Sequence, residues 1–257
     1  MTPVELHAVD SGGAGPVVVL AHAIGCDARM WEQLVAVLAG QFRVLAFDAR
    51  GHGRTPVTPR PYTLAGLADD FARALDARGI GQAHWVGLSM GGMIGQAFAL
   101  AHPDRLDRLV LANTTSGYGP GGPKMWEARA KAVAEGGMAA IKDLVMARYF
   151  SEAFRTAHPE VVARVGQRFL EVPAEGYVSC CDAIRDLDFS ARLSDIRART
   201  LVIAGELDAG TPVAMSEEMV RRIPAATLAV IPGAAHLSAV EKHVEFNALV
   251  KAFLEAR

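Results

Sequence analysis

Short apolar runs alternate with helical patterns along most of this chain, and this alternation constrains the fold more than any other feature. The run at residues 17–21 is continuously apolar, as a strand is when both faces of its sheet are covered, and the other runs are mainly apolar. The runs lie at residues 17–21, 42–47, 85–88, 106–112, 201–204 and 227–231. Apolar residues at helical spacing fall between them, at residues 30–38, 64–75, 92–100 and 240–253. The pattern predicts an α/β fold, with a mostly parallel central sheet flanked by helices.

One further strand is expected near the start of the chain. Val4, Leu6 and Ala8 alternate with polar neighbours, which is typical of a half-buried strand. The sequence at residues 10–13 is Asp-Ser-Gly-Gly, a composition that favours a turn. We therefore predict a strand over residues 4–8 that is followed by this turn.

The alternation stops between residues 118 and 195. A loop rich in glycine and proline at 117–123 opens this segment, and helical patterns follow without a clear strand. Of the chain's 10 Phe, 3 Trp and 4 Tyr residues, eight fall here. Because ligand pockets are lined mainly by apolar and aromatic groups, we predict a helical cap over a pocket. The cap would be residues 118–195, and residues 1–117 and 196–257 would form the core. The alternative is that these aromatic residues pack only among themselves.

Composition excludes several classes of function. The 26 basic and 28 acidic residues give a net charge of −2, which argues against a broad nucleic-acid surface. No apolar run is long enough to span a bilayer, and residues 1–15 lack the basic start and apolar core of a secretory signal. The three cysteines, Cys26, Cys180 and Cys181, are odd in number, so we expect reduced thiols and a cytoplasmic location. Their spacing predicts no metal site, and no cofactor is predicted. The oligomeric state stays open.

The pentapeptide GLSMG at residues 87–91 is the strongest chemical signal. It matches G-x-S-x-G, follows an apolar run and precedes a helical pattern. A serine on such a strand-to-helix turn is strained and exposes its hydroxyl at the positive end of the helix. This context predicts Ser89 as a nucleophile. The simpler alternative is a glycine-rich turn with Ser89 as a helix cap.

A serine hydroxyl is a weak nucleophile until a base takes its proton. His236 follows the last predicted strand, and Asp208 follows the strand before it. Because open α/β sheets place their sites at the carboxyl ends of strands, both residues should reach the edge where Ser89 lies. We predict His236 as the base and Asp208 as the carboxylate that orients it. Glu206 is the competing carboxylate.

The negative charge of an attacked carbonyl oxygen requires hydrogen-bond donors. The backbone N–H of Met90 is one candidate, because it begins the helix after Ser89. The second donor should come from the loop after an earlier strand, where the sequence reads AHAIG at residues 21–25. We predict the N–H of Ile24, with Ala23 as the alternative. His22 is expected to support this loop by hydrogen bonds.

With these motifs the chain resembles the α/β-hydrolases over its full length. The resemblance is carried by DARGHG at 48–53, GLSMGGMIGQ at 87–96, AHPDRL at 101–106, GELD at 205–208 and GAAH at 233–236. Within that superfamily the cap segment is most similar to that of the 3-oxoadipate enol-lactonases. That likeness is carried by Trp126 with Arg129, RYF at 148–150 and EGYVSCC at 175–181.

The resemblance implies an activity. Ser89 would attack the ring carbonyl of an enol-lactone while His236 accepts its proton. The ring would open to an acyl-enzyme, the leaving enol would become a ketone, and water would then release 3-oxoadipate. The substrate carboxylate needs a cation, because an unpaired buried charge is costly. We expect Arg129 to supply it and Trp126 to form a wall beside it. The alternative is that Arg129 is a solvated surface charge.

Other functions would use the same three residues. A general carboxylesterase, a lactonase for other rings and a hydrolase of carbon–carbon bonds all fit the motifs. A hydrolase-fold receptor that binds a small ligand is a candidate from a different class. Ala23 stands where the enol-lactonases often carry a small polar residue, so the sequence leaves the exact substrate open.

Overall fold

A seven-stranded sheet forms the centre of the protein in a computed structural model that describes residues 1–256. The strands lie in the order β1-β3-β2-β4-β5-β6-β7. β1 runs antiparallel to β3 and every other pairing is parallel, which confirms the predicted sheet. The strands are β1 (Ala8–Asp10), β2 (Val17–Ala21), β3 (Arg43–Phe47), β4 (Ala83–Leu88), β5 (Leu106–Ala112), β6 (Arg199–Gly205) and β7 (Ala226–Ile231).

Helices cover the sheet, and the central strands are buried along their length. Helices α1 and α11 pack together, as do α2 and α3. The helices that accompany the sheet are α1 (Glu32–Leu38), α2 (Leu64–Asp76), α3 (Met90–Ala101), α9 (Val213–Arg222), α10 (Ser238–Glu241) and α11 (His243–Glu255). The closing helix that the sequence predicts as one element is therefore two, and they are separated at Lys242.

The helical insertion lies between β5 and β6, as predicted. It contains α4 (Gly122–Gly136), α5 (Lys142–Tyr149), α6 (Glu152–Ala157), α7 (Pro159–Leu170) and α8 (Ala174–Arg185), and α4 packs along α8. We call this set of five helices the cap. The division of the chain at residues 118 and 195 stays a prediction.

The first strand is not where the sequence predicts it. β1 begins at Ala8, which pairs with Phe47, and ends at Asp10, which pairs with Leu45. Because β1 is antiparallel to β3, residues before Ala8 lie past the last residue of β3. The His7 carbonyl still accepts from the Asp48 N–H at 2.9 Å, but the strand pairing itself stops at Ala8. Leu6 is still buried in the core, so its apolar spacing reflects packing rather than strand pairing.

The parallel register brings four loops to one edge of the sheet. β4, β5, β6 and β7 are neighbours, and their carboxyl ends are Leu88, Ala112, Gly205 and Ile231. The residues that follow these ends include Ser89, Asp208 and His236. The fold therefore places all three at the same edge, as the sequence predicts.

Two further observations concern the cysteines and the lengths of the helices. Cys26, Cys180 and Cys181 are free thiols and all three are buried. Within residues 1–256, no helix combines the length and the apolar character that crossing a membrane requires.

Candidate active site

Ser89 occupies a strained turn between β4 and α3. Its backbone has φ 55° and ψ −116°, a conformation that costs a non-glycine residue about 1–3 kcal/mol. The neighbouring glycines allow the turn, because a Cβ on Gly87 would collide with the Gly91 carbonyl oxygen. A Cβ on Gly91 would likewise collide with the carbonyl oxygen of Ala21. Both glycines of G-x-S-x-G are thus required, because Gly87 lies against the backbone of Gly91 and Gly91 lies against the backbone of β2.

Hydrogen bonds hold this turn on both sides of Ser89. The Ser89 N–H donates to the Ala112 carbonyl at 2.9 Å. The Ser89 carbonyl accepts from the Thr114 hydroxyl at 2.8 Å. The side chain itself is free, since the Ser89 hydroxyl forms no hydrogen bond with any residue from 1 to 256, including His236. The backbone is therefore fixed while the hydroxyl keeps both its proton and its lone pairs for a ligand.

Asp208 and His236 are directly bonded. The distance from His236 Nδ1 to Asp208 Oδ2 is 2.7 Å, and both side chains are buried. A carboxylate only accepts hydrogen bonds, so Nδ1 carries the proton and Nε2 of a neutral ring keeps its lone pair. This is the tautomer that a general base requires.

The Asp208 carboxylate is saturated with donors. Oδ2 also accepts from Asn113 Nδ2 at 3.0 Å and from Thr211 Oγ1 at 2.6 Å, while Oδ1 accepts from the Gly210 and Thr211 N–H groups at 2.8 and 3.1 Å. Burial raises the pKa of this carboxyl, but the charge and hydrogen bond of His236, with those of Thr211 and Asn113, lower the pKa to about 2. Asp208 is thus an anion wherever the protein is folded near neutral pH.

Glu206, the competing carboxylate, lies apart from this pair. It is exposed and accepts a hydrogen bond from the Gly233 N–H at 2.8 Å. Asn113, by contrast, was missed by sequence reasoning although it contacts Asp208 and accepts from the Ser238 hydroxyl. The signal that could have found Asn113 is a polar residue directly after β5, between the strands that precede Ser89 and Asp208.

The loop after β2 leaves one peptide N–H free. The Ala23 carbonyl accepts from His22 Nδ1 at 2.7 Å and from the Cys26 N–H at 3.0 Å. In a trans peptide the C=O and the next N–H point in opposite directions, so the Ile24 N–H points away from His22. Within residues 1–256 this N–H has no acceptor. The expected support of the loop by His22 is present.

The next peptide bond of this loop is held from both ends. The Ile24 carbonyl accepts from the Tyr149 hydroxyl, and the Gly25 N–H donates to His52 Nε2 at 3.1 Å. His22 Nε2 in turn accepts from the Ala49 N–H at 2.9 Å. Burial lowers the pKa of His22, and burial together with the nearby His22 lowers the pKa of His52 to about 3, so both rings are neutral acceptors.

Met90 is the first residue of α3. The first N–H groups of a helix have no carbonyl one turn before them, so the Met90 N–H has no intrahelical partner. It follows Ser89 directly. The N–H groups of Ile24 and Met90 are thus both available for an incoming oxygen.

The cap presents a cluster of unpaired donors. The guanidinium of Arg129 lies 5.2 Å from the ring centre of Trp126 and 5.5 Å from that of Tyr177. Among residues 1–256 no carboxylate pairs with Arg129, and the Trp126 indole N–H and the Tyr177 hydroxyl are buried without a hydrogen-bond partner. Burial raises the pKa of the Tyr177 hydroxyl, and the charge and the donor groups of the adjacent Arg129 guanidinium oppose that rise. Arginine only donates, so the Tyr177 proton still lacks an acceptor. Trp126 and Arg129 therefore share a face of α4, as their spacing predicts.

This cluster adjoins the loop that carries Ile24. A Cβ on Gly25 would approach the ring of Tyr177 to 3.2 Å, so the two are in close contact. Tyr177 is a second residue that sequence reasoning missed as a site residue, although it belongs to the EGYVSCC segment on which the family resemblance rests. The contacts connect the loop to Tyr177, Tyr177 to Arg129, and Arg129 to Trp126.

Comparison with known proteins identifies the family. The family described as alpha/beta hydrolase fold matches residues 16–243. The sheet order, the cap and the strand-to-helix turn at Ser89 agree with this match. The chain belongs to the α/β-hydrolase family.

Individual relatives narrow the comparison. The chain is 34% identical over 240 residues to 3-oxoadipate enol-lactonase 2 of Acinetobacter baylyi, covering 93% of this chain and 89% of that protein. The crystal structure of the enol-lactonase from Burkholderia xenovorans LB400 matches with a TM-score of 0.95 at 35% identity, covering 98% and 97% of the two chains. The malate-bound structure of a thermophilic esterase from Thermogutta terrifontis matches with a TM-score of 0.93 at 32% identity, covering 99% and 95%. The chain is a hydrolase similar to enol-lactonases and esterases.

Proposed function

We propose that the protein hydrolyses a carboxylic ester or lactone through an acyl-enzyme formed on Ser89. The observation that carries this proposal is the buried pair of Asp208 and His236 at the sheet edge where the strained turn presents an unbonded serine hydroxyl. Asp208 orients His236 and stabilises it when protonated, and His236 is the base. The N–H groups of Ile24 and Met90 stabilise the oxyanion.

The reaction has two stages. The Ser89 oxygen attacks the carbonyl carbon and its proton passes to His236 Nε2. The tetrahedral intermediate then expels the ester oxygen, which takes that proton. Water next attacks the acyl-enzyme, gives a proton to His236 and releases the acid, and the proton returns to Ser89. Each tetrahedral intermediate places its negative oxygen between the two backbone donors.

The substrate class we propose is an enol-lactone that carries a carboxylate, with 3-oxoadipate enol-lactone as the leading candidate. When its ring opens, the leaving enol becomes a ketone. The substrate carboxylate would lie against Arg129, with additional hydrogen bonds from the Trp126 indole and the Tyr177 hydroxyl. This would satisfy the Trp126 indole and the Tyr177 hydroxyl, which are buried without a partner, and would give Arg129 a counter-charge. The similarity to two enol-lactonases supports the proposal.

A general carboxylesterase is the second candidate. The observation that favours it is the similarity to the Thermogutta terrifontis esterase. The same three residues would serve, and the cap, which we propose to be residues 118–195, would accept a different acyl or alcohol group. The two candidates therefore differ only in what the cap recognises.

A comparison of turnover across substrates tests the proposal. We expect 3-oxoadipate enol-lactone to have the highest kcat/KM, above simple lactones and short aryl esters such as p-nitrophenyl acetate. A preference for neutral aryl esters would favour the carboxylesterase. A fluorophosphonate should label Ser89 alone, and mass spectrometry of the labelled peptide checks this. Absence of both turnover and labelling would refute the proposed hydrolase.

A further inference from the structure

Tyr149, at the end of cap helix α5, touches both halves of the proposed catalytic centre. Its hydroxyl donates to the Ile24 carbonyl in the loop after β2. Its ring is stacked on the imidazole of His236, with 5.9 Å between ring centres and 20° between the planes. Its own carbonyl accepts from the Leu237 N–H at 2.9 Å. One side chain thus contacts the loop of the oxyanion donor and the ring of the base, which come from opposite ends of the chain.

A second contact ties the same part of the cap to the His236 loop. The buried carboxylate of Glu241 accepts from the Ala235 N–H at 2.9 Å. It also accepts from the N–H of Ser151, at 3.2 Å, and from the hydroxyl of Ser151. The residues on both sides of His236 are therefore anchored, Ala235 through Glu241 to Ser151 and Leu237 directly to Tyr149.

The hydroxyl of Tyr149 also limits the freedom of Ile24. The peptide before Ile24 is held through the Ala23 carbonyl, and the peptide after it is held by Tyr149 at one end and His52 at the other. The two peptide planes meet at the Cα of Ile24. Holding the second plane restricts rotation of the first, and the first carries the free N–H.

We propose that Tyr149 is a positioning residue that aligns the Ile24 N–H with His236, so that the cap is part of the catalytic frame as well as a cover for the substrate. This rests on the proposed function of Ser89, His236 and Ile24. Without the Tyr149 hydroxyl, the buried Ile24 carbonyl loses that donor, and the peptide after Ile24 is held at one end only, by His52. The cost falls on the transition state, where the oxyanion needs its donors correctly placed.

The test compares Tyr149→Phe with Tyr62→Phe, using p-nitrophenyl acetate, which carries no carboxylate for Arg129. Tyr62 is a matched control, because it is also buried and, within residues 1–256, its hydroxyl forms hydrogen bonds with Thr58 and with no residue of the proposed catalytic centre. For Tyr149→Phe we expect kcat to fall about 10- to 100-fold, less than for complete loss of an oxyanion donor, with KM within about threefold. Tyr62→Phe should keep kcat within about twofold, as is usual for a change remote from the reacting atoms.

A transition-state analogue separates positioning from general damage. A trifluoromethyl ketone forms a tetrahedral adduct with an active serine, and its oxyanion uses the same N–H donors. For Tyr149→Phe we expect its inhibition constant to rise by the same factor by which kcat/KM falls. An inhibition constant that stays at the wild-type value while kcat/KM falls would overturn the proposal.

A second variant keeps the test informative if Tyr149→Phe does not fold. Glu241→Gln keeps the shape of the side chain but weakens its hydrogen bonds to Ala235 and Ser151. We expect kcat to fall about 3- to 30-fold, less than for Tyr149→Phe, and the inhibition constant to rise by the factor by which this variant's own kcat/KM falls. If the folded variants behave like Tyr62→Phe in an active enzyme, the positioning role is wrong and the proposed function stands. A wild-type protein that neither turns over esters nor reacts with a fluorophosphonate refutes both.

Discussion

Buried polar groups are hydrogen-bonded at the edge of the sheet, whereas in the cap several of them have no hydrogen-bond partner. At the sheet edge, Asp208 accepts hydrogen bonds on both oxygens from five donor groups of four residues. The peptides on both sides of Ile24 are held by His22, Tyr149 and His52. In the cap, the Trp126 indole and the Tyr177 hydroxyl are buried without partners beside an arginine that has no carboxylate. Bonded groups are held in place for a reaction, whereas unbonded buried donors are complementary to an acceptor on a ligand.

This contrast has an energetic basis. A buried donor without a partner costs about 1–3 kcal/mol, so the Trp126 indole and the Tyr177 hydroxyl weaken the protein alone. A substrate carboxylate removes that cost on binding. The comparison therefore supports the proposal that the bond is cleaved at the sheet edge and that the cap selects the substrate.

Ser89→Ala is the most severe test of the sheet edge. Alanine removes the nucleophile without disturbing the backbone turn, so kcat should fall by about 10⁴ or more on every substrate. Circular dichroism should show an unchanged fold. If the alanine variant kept most of its activity, Ser89 would not be the nucleophile.

Asp208→Asn should have the next largest effect. The amide can present an N–H to His236 Nδ1 and so favours the wrong tautomer, and we expect kcat to fall about 10³- to 10⁴-fold on charged and neutral substrates alike. Glu206→Gln is the matched control and should leave kcat almost unchanged, because within residues 1–256 the exposed Glu206 carboxylate accepts a hydrogen bond only from the Gly233 N–H. The reverse result would mean that Glu206 is the functional carboxylate.

Arg129→Ala should separate the two regions. A charge-assisted hydrogen bond to a carboxylate contributes about 1.5–3 kcal/mol, so kcat/KM on carboxylate-bearing lactones should fall about 10- to 150-fold. A neutral aryl ester should be hydrolysed nearly as before. Arg129→Lys should restore only part of the loss, because lysine keeps the charge but lacks the planar pair of donors. Equal losses on both substrates would show that Arg129 supports the cap structurally, and the carboxylate partner would then be sought at Arg148.

His52→Gln tests the buried supports of the sheet edge through the pH dependence of stability. The folded pKa of His52, about 3, lies below the ordinary value of 6.5. Between these values the unfolded chain binds a proton that the folded protein does not. The free energy of unfolding should therefore fall as the pH drops below 6.5, by about 1.4 kcal/mol per pH unit for this group.

Urea unfolding between pH 7.5 and pH 4 measures this slope. His52→Gln should make it shallower, while His158→Gln, on the exposed start of α7, should leave it as in the wild type. A slope unchanged by His52→Gln would contradict the neutral, buried state of this ring.

Tyr177→Phe should have the smallest effect. It should lower kcat/KM on charged lactones but should not lower the thermal stability of the protein. Losing one hydrogen bond to the substrate carboxylate should lower kcat/KM on charged lactones about 3- to 10-fold, and neutral esters should be unaffected. Because the hydroxyl is buried without a partner, its removal should leave thermal stability equal or higher. A loss of stability with no change in kcat/KM would place Tyr177 among the structural residues of the cap.

Local sequence was a reliable guide where local geometry decides the structure. The strands at Val17–Ala21 and Leu106–Ala112 have the predicted bounds, because short, mainly apolar runs between helical patterns fit a covered sheet. The turn at Ser89 follows from G-x-S-x-G, since side chains at Gly87 and Gly91 would collide with nearby carbonyl oxygens. The first strand was wrong because its bounds depend on where β3 ends, which is a property of pairing and not of residues 4–8.

The sequence by itself determined the order of strands and helices and the strand-to-helix turn at Ser89, because these depend on residues close together in the chain. It also determined that Asp208 and His236 share one sheet edge, because both follow strands of a parallel sheet. Only the tertiary structure decided which groups surround them. Asn113 reaches Asp208 across 95 residues, and Tyr149 reaches the Ile24 carbonyl across 125. Such hydrogen bonds depend on how helices and loops pack in space. No periodicity or spacing encodes them, so the free N–H of Ile24 and the unpaired donors around Arg129 became visible only in the folded chain.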